Sequence, residues 1–207
     1  FSPFSVKTWS TGIDPANDPF QRFAWGIPPT KQGDYAFLLH IIRSMNSKAK
    51  AACILPHGVL FRGNAEHVIR QNLVKSGILK AIIGLPKNLF YGTGIPACIL
   101  VLDKENATTR KGILMINARN GFKKDGSKNR LRDQDVHKII DTYLKSVELP
   151  QYSRMVSYSE IASTKNNFNL NLSRYVDNTI KEDIHNIEGH LSGGIPEADI
   201  NSLNNYW

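Results

Sequence analysis

Phe90 and Tyr91 are preceded by Lys87 and followed by Gly92, Thr93 and Gly94, in a loop bounded by Pro86 and Pro96. Adjacent rings on a permissive backbone, with a cation close by, suit the holding of a flat ring beside an anion. A second candidate surface lies between Arg110 and Arg132, where eight basic residues face a single acid, Asp125. That segment carries nearly the whole formal excess of +8. Lys123, Lys124, Lys128 and Arg130 within it are candidate phosphate contacts, Phe122 is available to stack, and Gly121, Gly126 and Asn129 are expected to keep the segment a mobile loop. A merely solvated loop is the competing reading of the same charges. Arg62 and Lys87, beside the aromatic loop, are further candidates for phosphates. His57, on a loop expected to leave a strand end, reads as a turn-stabilising histidine, and His40 as a satisfied core histidine.

The elements that must position these groups follow from apolar patterning. Ile78–Leu85 and Ala97–Leu102 are apolar runs of the length of strands covered on both faces, with the aromatic loop between them. Their connection is too short for a crossover helix, so the two should pair antiparallel, as an antiparallel edge on a parallel sheet. Asp34 is expected to cap an apolar helix from Tyr35 to about Ser44 that packs on the sheet. Residues 51–55 read as a buried strand whose exit loop, Pro56–Gly63, lies where α/β sheets bind ligands. Asn64 should cap a helix with Ala65, Val68, Ile69, Asn72 and Leu73 on one face. Residues 112–117 read as another strand. A helix capped by Asp133 follows, with Val136, Ile139, Ile140, Tyr143 and Leu144 on one stripe.

The 207 residues, 41% of them hydrophobic, suffice for one core with a small appendage. The reading is an α/β domain over 1–149 and a mainly helical or irregular docking tail over 150–207, where the sequence turns polar and asparagine-rich and then turns at Ser192–Gly194 into a short helix opened by Pro196. The aromatic-rich first 31 residues read as a surface feature or lid. No apolar run has the length of a membrane span and no leader is visible, so a soluble, cytoplasmic protein is expected. Cys53 and Cys98 lack partners at ligand spacing and read as core residues, which leaves no expected metal site. A chain that opens on Phe1 and stops at Trp207 is read as a piece of a longer protein.

Residues 1–9 (FSPFSVKTW), 33–40 (GDYAFLLH), 54–63 (ILPHGVLFRG), 88–96 (NLFYGTGIP) and 169–176 (NLNLSRYV) together resemble the modification (M) subunit of type I restriction–modification systems. These are DNA adenine methyltransferases, and the resemblance spans nearly the whole chain. It implies the C-terminal half of a doubly wound, Rossmann-like class I methyltransferase sheet with an antiparallel edge pair. It further implies S-adenosylmethionine as cofactor, and as partners DNA, a specificity subunit, a restriction subunit and a possible second M subunit. In such enzymes the adenine must leave the helix and be held between rings while its exocyclic amine is methylated.

The resemblance places Ser2, Pro3 and Phe4 at the family's Asn-Pro-Pro-aromatic motif, with Phe4 as the stacking ring. It places Phe90, Tyr91, Gly92 and Thr93 at the second contact with the target base. The match departs from the family at its opening. Aligned without gaps, Phe1 stands where the family has Asn. Alternatively Ser2-Pro3-Phe4 is a shortened motif whose serine oxygen remains an acceptor, or the first residues are a truncation scar. No strand leads through a Gly-rich turn into a helix, so the cofactor half is expected upstream of residue 1. The rival reading is a non-catalytic remnant that binds DNA or the specificity subunit.

Overall fold

The computed structural model describes residues 4–176, with the separate positions 191, 193, 195 and 200. Phe1, Ser2 and Pro3 lie outside the described residues, as do Ser192, Gly194 and the helix opening expected at Pro196.

The strands are β1 (Lys50–Pro56), β2 (Leu79–Gly84), β3 (Ala97–Asp103), β4 (Gly112–Asn117) and β7 (Ser153–Ser157), in one sheet of order β1-β3-β2-β4-β7. β2 and β3 form the antiparallel pair that their short connection demands, with Ile83 opposite Ile99. The pair lies inside the sheet, because β3 also pairs antiparallel with β1, Cys53 opposite Leu100. The reason is topological. The helix between β1 and β2 returns the chain in the same direction but leaves a one-strand gap, and β3 fills it from the other direction. Only β2 and β4 run parallel as neighbours; β7 closes the far side antiparallel to β4. The outer edge of β1 has no strand beside it among the described residues.

Helices α1 (Asp34–Ser44) and α2 (Ala65–Lys75) cover one face. Leu38, Leu39, Ile69 and Leu73 pack there against Leu55, Leu100, Leu102 and Met115. Helix α3 (Asp133–Lys145) covers part of the other face, with Ile139 against Ala81, Ile83 and Ile116. The apolar stripe expected on α3 overhangs the sheet: Ile139 is buried, while Val136, Ile140 and Leu144 are exposed. On α2 it is Ile69, Leu73 and Val74 that face the core, and Val68 is exposed. His40, at the outer side of α1, is exposed rather than a core histidine.

The expected caps also differ. α1 starts with Asp34 itself after Gly33, and α3 starts with Asp133 after Arg132, whose backbone N–H and guanidinium donate to the Asp135 carboxylate. Asn64 occupies the cap position of α2 without a side-chain cap bond. The basic segment is not an open loop. Strands β5 (Lys123–Asp125) and β6 (Lys128–Arg130) make a hairpin, and Asn129 is buried in it.

Residues beyond 149 continue the same body. β7 belongs to the sheet, and after helix α4 (Tyr158–Ala162) Phe168, Leu170, Leu172, Tyr175 and Val176 join the core of α1 and α2. The expected boundary at 149/150 thus falls between two elements of one sheet. Trp9 and Phe23 of the N-terminal segment lean on that core too, their rings 5.3 Å apart.

Arg70 holds these pieces together. Fully buried on α2, it donates from Nε to the Phe168 carbonyl at 2.7 Å and from Nη1 to the carbonyls of Arg62 at 2.8 Å and Val59 at 3.2 Å. Tyr35 Oη donates to the same Val59 carbonyl at 2.8 Å. Arg70→Met keeps most of the volume but leaves the Phe168 and Arg62 carbonyls without this donor, at a cost of about 3 kcal/mol. Thermal unfolding should shift down by roughly 10 °C, and an unchanged midpoint in calorimetry would refute the role.

Candidate functional site

The carboxyl ends of β1, β2 and β4 form one crest, and every candidate site residue among the described ones lies on or beside it. The N-terminal motif is pinned there by Asp34, whose carboxylate is completely buried. Its Oδ1 accepts from the backbone N–H of Ser5 at 2.7 Å, and its Oδ2 accepts from Arg62 Nη1 at 2.9 Å. The Gly33 N–H donates to the Val6 carbonyl at 3.0 Å. Gly33 is required for this approach, since a Cβ there would come within 2.6 Å of Trp9 Cβ. These contacts bring Phe4 edge-on to Phe90, ring centroids 5.8 Å apart and planes at 79°.

The aromatic loop is fixed from below and from the side. The Leu85 N–H donates to the Ala97 carbonyl at 2.9 Å, closing its base. Asn88 and Gly92 take positive φ angles of 57° and 75°, and Thr93 Oγ1 accepts from the Ile95 N–H at 3.1 Å. The hairpin β5–β6 clamps the flank. Asn129 donates from its backbone N–H to the Asn88 carbonyl at 2.9 Å and from Nδ2 to the Lys87 carbonyl at 2.7 Å. Lys128 Nζ donates to the carbonyls of Phe90 at 2.8 Å and Thr93 at 3.1 Å. Tyr91, at the tip, is 93% exposed. Beneath the loop runs an apolar groove of about 550 Å³ lined by Ile54, Leu85, Leu89, Phe90 and Ile99.

The candidate phosphate contacts divide in two. Lys87, Lys123, Lys124 and Arg130 are exposed, Arg130 in a loose 3.8 Å pair with Asp125. Arg62 and Lys128 are committed inside the protein, Arg62 to Asp34 and Glu66, Lys128 to the loop carbonyls.

Similarity to known proteins agrees with this assembly. The family described as N-6 DNA Methylase matches residues 2–183. The chain belongs to that family. It is 37% identical over 155 residues to the type I restriction enzyme MjaVII methylase subunit of Methanocaldococcus jannaschii, covering 73% of this chain and 26% of that protein. It is 32% identical over 182 residues to the HindI methylase subunit of Haemophilus influenzae, covering 84% of this chain and 40% of that one. The crystal structure of a type I restriction–modification methyltransferase subunit from Streptococcus thermophilus superposes with a TM-score of 0.74 at 36% identity, over 84% of this chain and 36% of the other. The chain therefore spans between about a quarter and two fifths of the length of these relatives.

N-6 methylases as a family use S-adenosylmethionine. The glycines of the aromatic loop, Gly92 and Gly94, lead into β3 rather than into a helix. Among the described residues no three His, Cys, Asp or Glu side chains gather as a metal-ligating group, and no helix is long and apolar enough to cross a membrane.

Two residues of the crest were not singled out by sequence reasoning, Asn117 and Arg119. The signal for them is position: they are the first residues able to carry polar chemistry after the all-apolar run of β4. Arg119 Nε donates to Asn117 Oδ1 at 2.9 Å. Across the crest, the His57 backbone N–H donates to the Pro96 carbonyl at 2.9 Å and its ring lies 5.8 Å from Phe61. Burial, and secondarily the positive charge of Arg119, push the His57 imidazole down to about 4.

The His57 shift has a sign. Unfolded, the ring takes a proton near its ordinary value of about 6.5; folded, it resists until about 4. The unfolded state therefore binds more protons between those values, and stability must fall as pH drops through that window, by on the order of 3 kcal/mol. His57→Gln should flatten the acid limb of a stability curve measured by urea unfolding from pH 7 to 4; an unaltered limb would assign the loss to other groups. The clamp is tested separately. Lys128→Met should raise hydrogen exchange across residues 88–95 while leaving exchange in β2 and β4 unaltered, and equal protection in both proteins would mean the hairpin does not hold the loop.

Proposed function

We propose that this chain is the target-adenine side of a DNA adenine methyltransferase, the M subunit of a type I restriction–modification system. The observation that carries this reading is the meeting of Phe4 and Phe90 at the crest, each ring held by a separate anchor, with Tyr91 projecting beside them. An edge-on pair of rings makes a corner in which one face stacks on a base while the other ring bounds its edge. Stacking of an extruded base is worth about 1–3 kcal/mol per ring, which offsets part of the cost of taking it out of the duplex. Ser2 and Pro3, adjoining Phe4, are the residues that would face the exocyclic amine, the serine oxygen as a hydrogen-bond acceptor.

Lys87, Lys123, Lys124 and Arg130 would meet phosphates along the strand that carries the target adenine. Thr93 and Gly92 shape the turn that carries Tyr91. The S-adenosylmethionine site would be supplied by a part of the protein outside this chain, joined so that the methyl donor reaches the Phe4 corner. The relatives are each a methylase subunit of a type I restriction enzyme, which supports assembly with other subunits; on this reading those would be a specificity subunit, a restriction subunit and a second M subunit.

The test is transfer of labelled methyl groups from S-adenosylmethionine to adenine N6 of DNA by the full-length protein. Absence of transfer in the assembled enzyme would overturn the reading in favour of a binding remnant. Tyr91→Ala in that protein should lower transfer roughly tenfold to a hundredfold, as loss of one stacking ring implies, with affinity for S-adenosylmethionine unaltered. Turnover equal to wild type would remove Tyr91 from the site.

A further inference from the structure

On the side of the crest covered by α1 and α2, the end of the sheet holds buried polar groups that the reading above does not use. Asn117 is 2% exposed and His57 7%, and among the described residues neither Asn117 Nδ2 nor His57 Nε2 has a hydrogen-bond partner. Arg119 lies between them. Its side chain crosses the end of β2 at Gly84, where a Cβ would sit 3.6 Å from Arg119 Cγ and 2.4 Å from Leu172 Cδ1. Gly84 is opposite Asn117 in the parallel register, and Leu172 and the stem of Arg119 pack across its bare backbone.

Among the described residues no carboxylate pairs with Arg119; its one hydrogen bond is from Nε to the neutral amide of Asn117. Burial alone holds its guanidinium below the ordinary arginine value. A half-desolvated cation without a counter-ion among the described residues is costly unless a ligand supplies the charge. The Arg119 Nη nitrogens have no acceptor among the described residues, and the buried Asn117 amide and His57 ring flank the guanidinium without an opposing charge. Donors without acceptors describe an anion site. A planar guanidinium fixed at Nε leaves its Nη edge for two oxygens of one tetrahedral group. Exposed lysines on the hairpin can only follow a backbone loosely, whereas this arginine is held in one orientation.

We infer that Arg119, oriented by Asn117 and flanked by His57, binds one phosphate of the DNA strand bearing the target adenine and fixes that strand's position on the crest. This rests on the methyltransferase reading and names a contact within it. The position suits the role. The site lies at the carboxyl ends of β1, β2 and β4, the same crest that carries Phe4 and Phe90, and Arg119, in the turn that leaves β4, is tethered to the last strand residue, Asn117. Arg119 acts on the substrate backbone and is not a group of the methyl transfer itself.

The experiment measures DNA affinity against salt concentration for the full-length methyltransferase and its Arg119→Gln and Arg119→Lys variants. Loss of one phosphate contact should make the slope of log affinity on log salt shallower by about 0.9 for Arg119→Gln. Arg119→Lys should keep the wild-type slope and bind more weakly, because it retains the charge and loses the fork. The second arm needs no folded variant other than Arg119→Lys. Methylphosphonate is placed singly at each phosphate around the target adenine, and one position should weaken wild-type binding while weakening the lysine variant far less. Arg119→Gln with wild-type slope and affinity, or methylphosphonate effects that are equal in both proteins at every position, would overturn the inference and leave Arg119 a structural cation. If wild type methylates DNA and these results appear, only this contact falls; if wild type neither binds nor methylates DNA, the methyltransferase reading falls with it.

Discussion

Arg70 has five N–H donors, is buried and pairs with no carboxylate among the described residues, so its Nε and Nη1 donate to backbone carbonyls, and those carbonyls belong to two segments far apart in sequence. That requirement ties the exit loop of β1, the helix α2 that carries Arg70 and the chain at Phe168 to one point. The rest of the crest is built on it. Arg62, whose carbonyl Arg70 holds, turns its guanidinium to Asp34; Asp34 in turn holds the Ser5 N–H and with it Phe4. A continuous set of hydrogen bonds thus runs from the interior of α2 to the ring at the site. Glu66, beside Arg62 and pushed toward its neutral form by burial, completes a cluster in which charge is matched locally rather than by solvent.

Much of the sheet was legible in the sequence because its causes are local. The run 112–117 contains no charge and became a strand buried along its whole length; the connection between β2 and β3 was too short to be anything but an antiparallel link. The position of β3 inside the sheet was not legible, since it depends on how far the α2 crossover carries the chain, which no residue pattern records. The hairpin was missed for another reason. Lysines and arginines read as solvated charge, and three-residue strands in a lysine-rich stretch leave little apolar alternation to detect.

The candidate site shows the same division. That Phe90 and Tyr91 belong together in a placed loop followed from glycine and proline positions. That Phe90 would meet Phe4 edge-on did not, because it depends on carbonyls bound by Lys128 and Asn129. Arg62 and Lys128 look in sequence like any cation beside a substrate, and only tertiary structure reveals that both are committed to internal acceptors. Asp34 and Asp133 likewise looked like helix caps, a role that short acids fill often; in the fold the first has a far more consequential partner in Ser5.

The margin of β1, which no strand among the described residues covers, bears on how this polypeptide behaves when produced by itself. A margin strand offers a row of backbone donors and acceptors to any extended peptide, and proteins ordinarily blunt such rows with charge, proline or a bulge. Here the strand is Lys-Ala-Ala-Cys-Ile-Leu-Pro, with its lysine already paired to Glu105 at one end and its proline at the other. The five residues between carry no charge. Two copies could therefore zip together along this strand. Handling this chain at high concentration invites self-association into continuous sheets, and a single lysine introduced at Ala52, whose side chain is exposed, is the economical way to keep it dispersed.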